Sequence, residues 1–201
     1  MSSYISGAKA TLDLIELSDP DPTWPEQFDL EAAAIRSLGE VMEGVQIEHF
    51  GSTAVPNLRA KPVIDIMLVH PRRAEWPRLI APLEGLGYVY WAENPRKDRM
   101  LFVKGMPPHG QGRTHHVHVR LPWDAQRELA FRDRLRSDPV LARDYARLKE
   151  ELAAHFAGDR DAYTDAKTDF ISAAVKLSAD VGLIRDLEWD RTFDYKAERN
   201  R

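Results

Sequence analysis

Several short runs of this sequence carry residue types that do chemistry, at spacings that bring them to one side. In "PVIDIML" an aspartate interrupts an apolar run, and strand alternation puts Val63, Asp65 and Met67 on one face and Ile64, Ile66 and Leu68 on the other. An ionised carboxylate among apolar neighbours is costly unless it is paired, protonated, metal-bound or set at the open end of its strand. Two readings are open for Asp65: an ion pair with Lys61 or an arginine, or a ligand for a hard cation such as Mg²⁺. Just upstream, Gly51-Ser52 follows one strand pattern and precedes a turn. That is either a plain turn or a place where backbone N–H groups and a hydroxyl hold a phosphate, with Arg59 and Lys61 close behind to balance the charge. In "THHVHVR", His116, His118 and Arg120 share a strand face, and the histidines suit metal ligation, proton transfer or hydrogen bonding to a carboxylate. In the helical part, Tyr145 and Lys149 are four apart, as are Tyr163 and Lys167, so each ring lies beside an amine; "FRDRLR" puts Arg132 and Arg136 on one helix face. Such pairs either stack a base and contact phosphates or form an ordinary solvated stripe.

These residues need elements to hold them. Residues 11 to 17, "TLDLIEL", alternate as a short strand before three prolines, and Trp24, Phe28, Ala32, Ile35 and Leu38 give an amphipathic helix that stops at Gly39. "VQIEHF" reads as a half-buried strand, "PVIDIMLV" as a strand covered on both faces, and "RRAEWPRLIAPLEGLG" as a helix troubled by Pro77 and Pro82. "YVYW", "MLFVKG" and "HHVHVRLP" are three further strands. From Trp123 the helical period takes over in three segments, punctuated at Asp138-Pro139 and Gly158-Asp159. The expected organisation is one α+β domain over residues 1–178, with a sheet core at about 11–121, a helical section at about 123–178, and a tail over 179–201.

The 201 residues are 43% hydrophobic and 30% charged with a net charge of -4, which leaves no global positive field for nucleic acid. No cysteine is present, so disulfides and thiol chemistry are excluded and a reducing compartment fits. The first residues lack the charged and apolar regions of a signal peptide, and no apolar run approaches the roughly 20 residues of a membrane helix. A cytoplasmic protein with a small-molecule partner is the expectation.

The order "EHFGSTAVPNLRAKPVIDI", "HHVHV", "FRDRLR", "YARLK" and "YTDAKTDFI", spread over roughly residues 12 to 175, resembles the GrpB family of bacterial proteins. That family is similar to the nucleotidyltransferase superfamily, whose core is a mixed β-sheet with flanking helices, here followed by a C-terminal helical section. The resemblance implies that a Gly-Ser pair holds an incoming nucleoside triphosphate, ATP for instance, that carboxylates on the next strand bind Mg²⁺, and that a nucleoside monophosphate passes to a small-molecule acceptor. Carried onto this chain, Gly51 and Ser52 with Lys61, Arg132, Lys149 and Lys167 would contact phosphates. Asp65 would bind metal and His118 would act as a further ligand or general base. The superfamily's second carboxylate falls at Met67, which leaves three expectations open: a single Mg²⁺ on Asp65, recruitment of Glu48 or a histidine as a further ligand, or nucleotide binding without turnover. A catalytically degenerate module that binds a nucleotide or phosphometabolite is the alternative.

Overall fold

A computed structural model describes residues 15–106 and 109–180. Helix α1 (Trp24–Arg36) starts after a turn in which Asp21 Oδ1 accepts from Thr23 N at 2.8 Å, with Pro25 in its first turn, where a missing N–H costs nothing. A 3₁₀ turn (Gly39–Met42) leads to β1 (Gln46–Phe50), and a second (Ser52–Ala54) starts the loop to β2 (Ile64–Val69). Pro77 turns the predicted helix over 72–87 into a 3₁₀ segment, Arg73–Leu79, followed by a short α2 (Ile80–Gly85). Strands β3 (Tyr88–Tyr90), β4 (Met100–Lys104) and β5 (His115–Arg120) complete a mixed sheet of order β1-β2-β5-β4-β3. Only β2 and β5 run parallel; the other pairs are antiparallel.

The sheet is covered differently on its two faces. On one, Ile64, Ile66, Leu68, Val117, Val119 and Phe102 pack against Trp24 and Ile35 of α1 and Trp76, Leu79 and Leu83 of the following segment. On the other, Phe50, Met67 and Val69 meet Ala125 and Leu129 of α3 (Pro122–Ser137), which covers only part of that face. Helix α4 (Pro139–His155) begins where Asp138 Oδ1 accepts from Val140 N and Leu141 N, satisfying two of the N–H groups that a helix start leaves open. The third expected helix is divided into α5 (Arg160–Asp165) and α6 (Thr168–Asp180), and Lys167 occupies the break.

The chain is therefore α+β, a five-stranded mixed sheet with flanking helices and C-terminal helices, as expected from the sequence. One predicted strand falls mostly outside the described residues. Of residues 11–17, the first four lie outside the described residues, and the rest form no strand: Ile15 N reaches Ala157 O at 3.0 Å and Ser18 makes an isolated bridge to Ala60. Residues 181–201, which make up nearly all of the expected tail, also lie outside the described residues. Among the described residues no helix is long and apolar enough to cross a membrane.

Candidate functional site

The parallel pairing of β2 with β5 sets Asp65 opposite His116 and Met67 opposite His118, so strand register gathers the three polar side chains on the face that α3 half covers. Oδ1 of Asp65 lies 3.1 Å from His116 Nδ1 and 3.6 Å from His118 Nε2. Phe50, opposite Asp65 on β1, meets the His118 ring edge-on with centroids 5.0 Å apart, which holds that imidazole against the carboxylate. The Asp65, His116 and His118 side chains are half-buried, with exposures of 27%, 16% and 20%, and Nε2 of each histidine is buried.

Gly51 closes the cluster from β1. Its φ of +73° and ψ of -169° lie in a region that glycine alone occupies without strain, and a Cβ there would collide with Oδ2 of Asp65. The glycine thus does two things: it turns the chain out of β1, and it lets the backbone press against the carboxylate. Ser52 follows, half-buried, and accepts from Lys149 Nζ at 3.2 Å. Lys149 also donates to the carbonyl of Arg59, and its Nζ stands 5.0 Å from the Tyr145 ring centroid. From the other side, Nζ of Lys61 and Nζ of Lys167 lie 5.0 and 4.2 Å from the ring centroid of the buried Tyr163. Dividing the last predicted helix at Lys167 is what aims that side chain toward the strands.

Electrostatically the site is lopsided. Burial pushes Lys61 and Lys149 down to about 7 and Lys167 down to about 8, and Lys167 further lowers both of the other lysines. Arg160 and Arg113 add positive potential at Lys61. Asp65 is the anion that opposes them at Lys61 and Lys167; among the described residues no carboxylate comes within ion-pair distance of any of the three lysines. Burial works to raise the Asp65 carboxyl, yet the imidazoles of His116 and His118 beside it prevail and hold it well below the usual carboxylate range. Burial also pushes His116 down to about 4, so a neutral imidazole faces an ionised carboxylate at neutral pH.

Of the residues singled out from sequence, Gly51, Ser52, Lys61, Asp65, His118, Lys149 and Lys167 come together here. Two do not. Arg132 is buried and fully engaged: it donates to Glu48 Oε2 at 2.8 Å, to the His49 carbonyl at 2.7 Å and to Asp133 Oδ1 at 2.8 Å, which fastens α3 to β1. Glu48, its partner, sits opposite Met67 beneath α3 and outside the cluster of potential metal ligands, which comprises Asp65, His116 and His118. The expected phosphate contact from Arg132 and metal contact from Glu48 are replaced by their contact with each other. Sequence reasoning left His116 at the margin, although its two-residue spacing from His118 placed it on the same face. Arg113 and Arg160 carried no periodic signal, because a loop and a helix start deliver them.

As a seat for Mg²⁺ the cluster does not fit. Mg²⁺ requires an octahedral shell of oxygens, whereas these residues offer one carboxylate and two imidazoles, with Met67 packed under Ala125 and Leu129 where a second carboxylate would belong.

Comparison with known proteins agrees with this architecture. The crystal structure of the conserved protein GrpB from Enterococcus faecalis superimposes with a TM-score of 0.71 at 34% identity, over 82% of this chain and 98% of that one. A UPF0157 protein of Pseudomonas aeruginosa is 54% identical over 160 residues, which is 80% of this chain and 66% of the relative, so the chain spans just under two thirds of that protein. A protein of Mycolicibacterium paratuberculosis named dephospho-CoA kinase is 28% identical over 83% of this chain, but the match spans only 46% of its own length. The GrpB protein family model matches residues 14–177, and with that coverage the chain belongs to the GrpB family.

Proposed function

We propose that this protein binds a nucleotide or another phosphorylated metabolite in the site formed by Gly51, Ser52, Lys61, Lys149 and Lys167 beside Asp65. The observation that carries this reading is the charge imbalance: three lysines converge where Asp65 opposes Lys61 and Lys167 and Glu150 opposes Lys149, neither within ion-pair distance, and burial pulls all three pKa values down. Cations held at such a cost are stabilised by an incoming phosphate, and each charge-assisted hydrogen bond to it is worth about 1.5–3 kcal/mol. The positive-φ turn at Gly51 leads into Ser52, which meets Lys149, and the rings of Tyr145 and Tyr163 give the lysines an apolar backing. Part of a relative named as a kinase matches this chain, which is in keeping with phosphate chemistry.

Transfer of a nucleoside monophosphate to a small-molecule acceptor is the second reading, favoured by the contact of Asp65 with the Gly51 backbone. In that step an acceptor hydroxyl oxygen forms a bond to the α-phosphorus and the bond to the pyrophosphate oxygen breaks. Pyrophosphate leaves with the electron pair, and the hydroxyl proton passes to His118. The lysines would offset charge on the transferring and leaving groups.

Calorimetry with ATP, inorganic pyrophosphate and inorganic phosphate, with and without Mg²⁺, followed by a pyrophosphate-release assay, tests both readings. Binding without release assigns a binding module, and binding with release assigns a transferase. Absence of heat and of thermal stabilisation with every phosphorylated probe at millimolar concentration rules out the site.

A further inference from the structure

The cluster that serves Mg²⁺ poorly serves another class of ion well. We infer that Asp65, His116 and His118 form a binding site for a borderline-soft divalent transition ion of the zinc type, in preference to Mg²⁺. The inference rests on the geometry of three side chains and not on the nucleotide reading.

Donor type comes first. Two imidazole nitrogens and one carboxylate oxygen suit Zn²⁺, Co²⁺, Ni²⁺ or Fe²⁺, whereas Mg²⁺ and Ca²⁺ select oxygen. Three protein donors are also the number that a zinc site with an open coordination position uses.

Spacing comes second. Ligand atoms that each sit about 2.1 Å from a shared ion, at angles of about 90–109°, stand roughly 3.0–3.4 Å from one another. The separations from Asp65 Oδ1 are 3.1 Å to His116 Nδ1 and 3.6 Å to His118 Nε2, and the three ligand atoms lie within 4.8 Å of one another. A shared ion requires the wider of these separations to close toward that range through rotation of the imidazoles.

Unmet bonding comes third. Nε2 of His118 is buried and has no hydrogen-bond partner among the described residues, although a carboxylate oxygen stands just beyond reach. A cation shared by Nε2 of His118 and the Asp65 carboxylate would satisfy both. The frame is prepared as well: Gly51 presses on Oδ2 of Asp65, Phe50 braces the His118 ring, and parallel register fixes both histidines relative to the aspartate.

The test uses the full chain, stripped with a chelator and free of nucleotide, so that its outcome is independent of phosphate binding. Zn²⁺, Co²⁺ and Mg²⁺ are titrated separately by calorimetry, and the side-chain nitrogens of the seven histidines are followed by NMR in the unaltered protein. The expected result is one Zn²⁺ per chain, bound far more tightly than Mg²⁺, with the ring nitrogens of His116 and His118 shifting and the other rings unmoved. His118→Ala and Asp65→Asn should each weaken Zn²⁺ by at least about 10–100-fold, with folding checked by circular dichroism. Zn²⁺ binding no tighter than Mg²⁺, or shifts confined to other histidines, would overturn the assignment. The ring shifts in the unaltered chain decide the question even where a variant does not fold.

Discussion

Two charged groups lie on the same face of this sheet, and they are built on opposite plans. Under α3, Arg132 and Arg136 are set against Glu48 and Asp133 with contacts of 2.8 to 3.7 Å, so two cations meet two anions and the set is closed. At the ends of β1, β2 and β5, Lys61 and Lys167 face Asp65 with Lys149 next to them on Ser52, and the positive charges are left in excess. The first arrangement holds the fold together. The second has a cost in the folded protein that loss of the lysine protons or an incoming anion relieves, which is how a binding site differs from a structural ion pair even where both are buried.

Removing one member from each set should separate these roles. Arg132→Met leaves Glu48 and Asp133 under α3 without their main partner, and it should cost about 3–5 kcal/mol of stability, seen as a fall in the denaturant midpoint. Next in size is a change at the boundary of the two sets. Met67→Asp, which restores the superfamily's missing carboxylate, should destabilise by about 3 kcal/mol or more and create no Mg²⁺ site, because Phe50, Val69, Ala125 and Leu129 enclose that position. Gly51→Ala should cost about 1–3 kcal/mol through its backbone conformation alone and also displace Asp65, lowering affinity for phosphorylated ligands. Lys167→Met should leave stability unchanged or slightly raised, since it removes a like charge, while weakening ATP or pyrophosphate by about 10–100-fold in calorimetry.

The pH dependence sharpens the same contrast. Lys61 and Lys149 are lowered to about 7 and Lys167 to about 8, from 10.5. Between about pH 7 and 9 the unfolded chain therefore binds more protons at these groups than the folded one, so their contribution to stability rises with pH. A bound phosphate keeps the lysines charged, so thermal melts at saturating pyrophosphate should lose that rise, and affinity should weaken as pH climbs through 7 to 8. A melt profile that keeps the same pH dependence with and without ligand would separate the lysines from ligand binding.

How much was legible beforehand follows from what local pattern can encode. Strand alternation correctly put Asp65 with Met67, and His116 with His118 and Arg120, because each set obeys a period of two within one element. The helical spacing that paired Tyr145 with Lys149 and Tyr163 with Lys167 likewise survived, and both lysines reached the site. Arg132 failed for the opposite reason: its type fits phosphate, but its partner is fixed by how α3 crosses β1, which no local period records. Glu48 failed with it. Met67 looked like a lost catalytic acid, and the fold adds that its side chain belongs to the seam between sheet and helix. The break at Lys167 was missed because the apolar period runs through it, and only tertiary packing divides α5 from α6.

The most direct test is calorimetric titration of inorganic pyrophosphate into the metal-free chain at pH 7, alongside Lys167→Met and Lys149→Met. The charge-imbalance account predicts one binding event per chain in the unaltered protein, weakened at least about 10-fold in each variant. Affinities unchanged by both substitutions, or no binding at millimolar pyrophosphate, would contradict it.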